Sequence, residues 1–190
     1  MTGLRIIGGK VRGFRLKDVP GDSTRPITDM VKESLFNILG TDIQDAVIWD
    51  LFGGTGSVGI EALSRGASFV LFSDKNRNAI NTLKTNISHT GFVDQSKVIF
   101  GDAFTLLRQK SEFLFDYIYV APPQYKEMWK DALFLIDGNE KLLNEDGCVI
   151  VQIHPKEYQK IELSNFVQFD ERKYGNTLLV FFEKISNKHT

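Results

Sequence analysis

Apolar positions along the chain follow two different periods, and the change from one to the other marks a change in organisation. After Thr28 they recur at Val31, Leu35, Ile38 and Leu39, the i, i+4, i+7, i+8 spacing of one helix face, with Thr28 or Asp29 placed to cap the start. Ahead of that helix, LRIIGG and GFRLKDV predict two short strands around the turn-rich GGKVRG, a β-hairpin, and VPGDSTRPIT is loop chemistry. From Val47 onward short apolar runs alternate with helical patterns: VIWDL, SFVLFSD, KVIFGDA, FDYIYV and GCVIVQI read as strands, and VGIEALSRG, RNAINTLKTNISHTG and WKDALFLI as helices. That βα alternation predicts a mostly parallel sheet. The stretch NFVQFDERKYGNTLLVFFEK breaks it, because two strands around Tyr174-Gly175-Asn176 form an antiparallel hairpin. The expected fold is therefore α/β: a mostly parallel seven-stranded sheet ending in an antiparallel hairpin, preceded by a small hairpin-plus-helix extension. The extension spans residues 1–40, the main domain 41–185, and a frayed tail 186–190.

Composition narrows the class without naming a partner. The chain has 190 residues, 42% hydrophobic and 25% charged, which is globular and long enough to bury a real core. The net charge of −1 gives no global pull toward nucleic acid, yet Arg5, Lys10, Arg12, Arg15 and Lys17 lie in a segment with no acidic residue. Screening limits electrostatic reach to about 8–10 Å at ordinary salt, so a phosphate backbone would feel that local basicity. Cys148 is the sole cysteine, which rules out an internal disulfide and fits a reducing compartment. His89, His154 and His189 are scattered, and no metal site is expected. No apolar run approaches a membrane span and the start lacks a signal-type apolar stretch, so a cytoplasmic protein with no membrane partner is expected.

The chemistry gathers at the ends of the predicted strands. In VIWDLFGGTGSVG a carboxylate, Asp50, closes the first strand, and a glycine-rich turn leads into a helix. Open α/β sheets bind nucleotide-like ligands at that edge. Gly54-x-Gly56-x-x-Gly59 formally matches the dinucleotide fingerprint, a weak signal alone. Asp50 argues against a pyrophosphate on the helix N-terminus and for a ligand without phosphate and with a cationic head. S-adenosylmethionine (SAM) has a sulfonium and an α-amino group on an adenosine, and fits. Asp74 closes the second strand and Asp102 follows the third. SAM would then place its aminoacyl end near Asp50, its ribose hydroxyls on Asp74 and its adenine amine on Asp102. Each acid alone would serve equally as a helix cap or turn former; three along one edge point to a ligand.

The fourth strand exits through Ala121-Pro122-Pro123-Gln124-Tyr125. Consecutive prolines stiffen such a turn and fix where its carbonyls point. A base amine whose lone pair is delocalised into its ring needs acceptors on its N–H groups before it can attack a sulfonium methyl in line, and positioning supplies much of the rate.

Taken together, LRIIGGKVRGFRL, TRPITDMVKESLFNIL, DLFGGTGSVGIEALSRGA and KYGNTLLVFF closely resemble the RsmD-type 16S ribosomal RNA guanine-N2 methyltransferases, over nearly the whole chain. The resemblance implies a Rossmann-like SAM-dependent methyltransferase that modifies the exocyclic amine of one guanine in small-subunit rRNA, within an assembled or partly assembled particle. It places the cofactor on Asp50, Phe52, Gly53, Gly54, Thr55, Gly56, Asp74, Lys75, Asp102 and Ala103, and RNA on Arg5, Lys10, Arg12, Arg15 and Arg25. Ala121, Pro122, Pro123, Gln124 and Tyr125 occupy the catalytic turn, and a monomer is expected. One departure stands out: the family's Asp-Pro-Pro-Tyr reads Ala121-Pro122-Pro123-Gln124, without the carboxylate and without the aromatic ring. The Pro122 carbonyl, the Gln124 amide and the Tyr125 ring remain for the same tasks. The alternative is a SAM-binding RNA-binding or ribosome-assembly protein that transfers no methyl group.

Overall fold

A computed structural model describes residues 4–21 and 27–185. Arg25 with its Arg25-Pro26 loop, and the tail 186–190, lie outside the described residues. The elements are α1 (Asp29–Leu39), β1 (Val47–Asp50), α2 (Ser57–Ser64), β2 (Phe69–Asp74), α3 (Arg77–Thr90), β3 (Ser96–Phe100), α4 (Ala103–Leu107), β4 (Phe115–Val120), α5 (Met128–Asp137), β5 (Leu143–Ile153), β6 (Phe166–Tyr174) and β7 (Thr177–Lys184). The seven strands lie in the order β3-β2-β1-β4-β5-β7-β6. The pairs from β3 through β5 are parallel, and β7 runs antiparallel to both β5 and β6. The chain winds outward from β1 to β3 and then crosses back to lay β4 on the other side of β1. The switch in winding direction therefore falls between β1 and β4, where such sheets open a crevice at their carboxyl ends.

Strand alternation assigns the two faces of the sheet. Ile48, Val70, Phe72, Tyr119, Ile150 and Phe181 face one core with Leu35 of α1, Ile60 of α2 and Leu83 of α3. Trp49, Leu71, Ile118, Val149, Val180 and Phe182 face the other, against Leu107 of α4 and Trp129 and Leu133 of α5. A period of two then sends Asp50 and Asp74 to the α2–α3 side. Among the described residues no helix is long and apolar enough to cross a membrane.

Three local expectations are refined. The N-terminal hairpin is present but short: besides the antiparallel Arg5–Arg15 bridge, Ile6 N–H donates to the Phe14 carbonyl at 2.9 Å, Gly13 N–H to the Ile6 carbonyl at 2.8 Å and Leu16 N–H to the Leu4 carbonyl at 2.8 Å, while its first limb and turn also bond α2. Ile7 N–H donates to Glu61 Oε2 at 2.8 Å, Lys10 N–H to the Ser64 carbonyl at 2.7 Å and Val11 N–H to Ser64 Oγ at 3.1 Å. The inward face of α1 is also turned by part of a helical step: Lys32 is buried with Val31, Leu35, Phe36 and Leu39, while Ile38 is 38% exposed. Lys32 can be inside because Glu61, equally buried, lies 3.4 Å away as its counter-charge. Finally, the chain inserts the short helix α4 directly after Asp102, whose Oδ2 accepts from Thr105 N–H at 3.1 Å.

Candidate active site at the carboxyl ends of the parallel strands

The glycine-rich turn is held by its own backbone. Gly53 N–H donates to the Ser73 carbonyl at 2.8 Å, Gly54 N–H to Asp74 Oδ2 at 2.9 Å, and Gly56 N–H to the Gly53 carbonyl at 2.7 Å. Gly56 has φ of 79°, a conformation that a side chain resists, and a Cβ there would stand 2.7 Å from Leu83 Cδ2 on α3. Gly59 serves a different purpose, since its Cβ would fall 2.3 Å from the Phe72 ring. Two glycines shape the turn and the third lets α2 lie against the sheet.

The acids behind this turn differ in state. Asp50 is 3% exposed, accepts from Gly59 N–H at 3.3 Å, and has no ion-pair partner among the described residues. Burial pushes its carboxyl up to about 7, partly opposed by the Gly59 hydrogen bond. A buried carboxylate with no counter-ion favours a cationic ligand, the head group that SAM has. Asp74 uses both oxygens locally, Oδ2 for Gly54 N–H and Oδ1 for Asn76 N–H at 2.8 Å, which locks the loop to the end of β2. Asp102 caps α4. Phe52 meets Phe104 edge-on at 6.4 Å, Lys75 is exposed, Ala103 is buried, and the Thr55 carbonyl accepts from Asn86 at 2.9 Å. Surface cavities of about 600 and 360 Å³ lie elsewhere, one including Leu107, Phe134 and Leu142, the other at the amino ends of β1 and β4. The chemistry at the strand ends, rather than cavity size, marks the site.

Beside it, the exit of β4 is braced from the turn that follows β5. Pro122 is buried, Ala121 and Pro123 are half-buried, and Gln124 is exposed. Tyr125 is 66% exposed with φ of 62°, and its N–H donates to Glu157 Oε2 at 2.8 Å. Its ring lies 5.5 Å from that of His154, tilted by 40°. His154 is fixed in turn, since its Nδ1 accepts from Lys156 N–H at 3.1 Å. Further down, the buried Tyr119 hydroxyl bonds the Gln152 side chain, and burial raises its phenol well above the usual range.

Four comparisons place this geometry among known proteins. A family model described as "Conserved hypothetical protein 95" matches residues 4–183. The chain belongs to this family. It is 37% identical over 184 residues to "Putative rRNA methyltransferase YlbH" of Bacillus subtilis, covering 95% of this chain and 99% of that protein. It is 35% identical over 174 residues to "Ribosomal RNA small subunit methyltransferase D" of Haemophilus influenzae, covering 90% and 89%. The solved "Putative methyltransferase yhhF" of Escherichia coli superposes with a TM-score of 0.84 at 28% identity, covering 95% of this chain and 97% of that one.

In this member of the Conserved hypothetical protein 95 family, the predicted basic residues divide. Arg5 pairs with Asp29 at 2.8 Å, so its charge is matched. Lys10, Arg12 and Arg15 are exposed, with no ion pair among the described residues. The limb from Arg5 to Lys10 lies along α2, so Lys10 and Arg12 sit near the C-terminal end of that helix, roughly 10 Å from the glycine turn at its start. Other polar residues of the region were not anticipated from the sequence: Lys32, Glu61, Asn86, His154 and Glu157. Glu61 accepts from Arg65 at 2.8 Å as well as pairing with Lys32, and burial pushes the Lys32 ammonium down against the attraction of Glu61. A usable signal existed for three of them. Lys32, Glu61 and Asn86 each interrupt an apolar helix face.

Proposed function

We propose that the protein is a SAM-dependent methyltransferase that modifies the exocyclic N2 amine of a guanine in small-subunit ribosomal RNA. The observation that carries this reading is the buried, unpaired carboxylate of Asp50 behind a phosphate-unfriendly glycine turn, at the edge where β1 and β4 part. The names of the relatives, rRNA methyltransferases, supply the substrate class. SAM brings an electrophilic methyl group on a sulfonium. The chain's own residues do the rest. Asp50 accepts from the cationic aminoacyl end, Asp74 takes the ribose hydroxyls on the lone pairs that Gly54 and Asn76 leave, and Asp102 turns its other oxygen to the adenine amine. Phe52, Gly53, Thr55, Gly56, Lys75 and Ala103 line that crevice. The Pro122 carbonyl accepts one N–H of the target amine, Gln124 offers its amide, and Tyr125, braced by Glu157 and His154, is the aromatic surface for an extruded base. Lys10, Arg12 and Arg15, with Arg25, contact phosphates, and the cytoplasm is the compartment this reading assigns.

One observation favours a second reading. At the head of the turn Ala121 offers no side-chain acceptor, as a SAM-binding assembly factor without transferase activity would allow. Incubation with methyl-labelled SAM and small-subunit particles lacking the modification separates the two. Label in the rRNA supports transfer; measurable SAM binding with no label in RNA supports the assembly factor, and no SAM binding removes both.

A further inference from the structure

The N-terminal arm and the glycine turn meet through two buried side chains, one on each side of Gly56. On the far side, Lys32 Nζ donates to Ser57 Oγ at 3.0 Å and also to the Arg5 carbonyl. On the near side, Asn86 Nδ2 donates to the Thr55 carbonyl at 2.9 Å and to the Lys17 carbonyl at 3.0 Å, while its Oδ1 accepts from Lys17 N–H at 2.8 Å. Thr55 and Ser57 flank the left-handed Gly56, and Arg5 and Lys17 belong to the two limbs of the arm that the Arg5–Arg15 bridge closes. Neither side chain has slack. Lys32 is 0% exposed and Asn86 1%.

We propose that Lys32 and Asn86 are positioning residues that couple the RNA-facing arm to the cofactor turn, so that each ligand is bound more tightly when the other is present. The inference rests on the proposed function above, which assigns the arm to RNA and the turn to SAM. The physical reason is local. A ligand that orders the turn at Thr55–Ser57 fixes the acceptors of Asn86 and Lys32, which fixes the arm backbone at Lys17 and Arg5, and a second ligand then meets an arm already ordered. Coupling of this kind is reciprocal, so RNA must raise cofactor affinity by the same factor. The Lys32–Glu61 pair adds stiffness, because Glu61 Oε2 also accepts from Ile7 N–H at 2.8 Å and ties the arm to the middle of α2.

The test uses the full chain with S-adenosylhomocysteine, the demethylated product, and rRNA of the small subunit. Amide hydrogen exchange is followed with and without S-adenosylhomocysteine, and RNA affinity is titrated in both states. In the wild type the ligand slows exchange at Gly53–Gly56 and also at Ile7 and Lys17, and tightens RNA binding about tenfold, within the usual range of coupling. Ser57→Ala removes only the turn-side partner of Lys32 and leaves the Lys32–Glu61 pair in place; Lys32→Met and Asn86→Leu remove each connector. In all three the turn still slows its exchange on ligand binding, but the corresponding arm amide no longer responds and the RNA gain falls from about tenfold to about threefold, the share left by the remaining connector. Thermal melting of each variant distinguishes this from unfolding, and Ser57→Ala carries the test should the other two not fold. An unresponsive arm in the wild type, or an undiminished RNA gain in Ser57→Ala, overturns the proposal. Failure of S-adenosylhomocysteine to protect the turn at all instead overturns the cofactor assignment on which it rests.

Discussion

Asp50 is kept in the folded chain where its own charge is disfavoured, and that gives it a pH signature. Its carboxyl titrates at about 7 in the fold against an ordinary value of 3.8. The folded state therefore holds the proton more tightly between about pH 4 and 7. Stability from this group is fully present below pH 4 and lost as pH rises through 7. Asp50→Asn is expected to raise the melting stability of the ligand-free protein at pH 8, on the order of 2–4 kcal/mol, and to leave it nearly unchanged at pH 4. The same substitution should weaken SAM binding at least tenfold. Because a bound cation favours the ionised form, wild-type affinity for SAM should also fall as pH drops below 7, and calorimetric titration across pH 6–8 checks both effects. At the catalytic turn, Ala121→Asp is expected to raise kcat tenfold or more with little change in KM for SAM, as returning a positioned polar group should. Residue positions were legible where the strand pattern is clear: the sequence pointed to Asp50 and Asp74 as acids at strand ends, and both stand there. It could not show that Arg5 is neutralised by Asp29, because that depends on a neighbour brought in by the fold.

At the scale of elements, the third glycine of the fingerprint concerns helix packing. Gly59→Ala would press a Cβ to 2.3 Å from the Phe72 ring, so a loss of about 1–3 kcal/mol is expected in chemical denaturation, together with a looser glycine turn. The arm makes a separate prediction. Replacing Lys10 and Arg12 by Glu should weaken RNA binding, reduce its salt dependence by about one unit of slope per lost phosphate contact, and leave SAM affinity without RNA unchanged, as salt-titrated binding would show. Apart from the inserted α4, helix and strand positions from Val47 to Lys184 follow from their periodicity, including the closing β6–β7 hairpin. The arm's hairpin pairing follows too, but the docking of its first limb and turn on α2, through Ile7, Lys10 and Val11, is a long-range choice invisible to a local pattern. The inward face of α1 departs from the apolar pattern for a similar reason: a lysine counts as outward until a buried glutamate on another helix is known.

Across the whole molecule, the alternation of strands and helices already implied the parallel sheet, but the position of β4 next to β1 comes only from the structure. That adjacency brings the double-proline turn beside the acids at the ends of β1 and β2, which is the juxtaposition the proposed function requires. The direct test is nucleoside mass spectrometry of rRNA from small-subunit particles incubated with SAM and the purified protein. The expected result is one N2-methylated guanine per particle, appearing only with SAM and reduced at least tenfold by Asp50→Asn. Methyl groups on adenine N6, or particles left unmethylated by a protein that binds SAM, would contradict it.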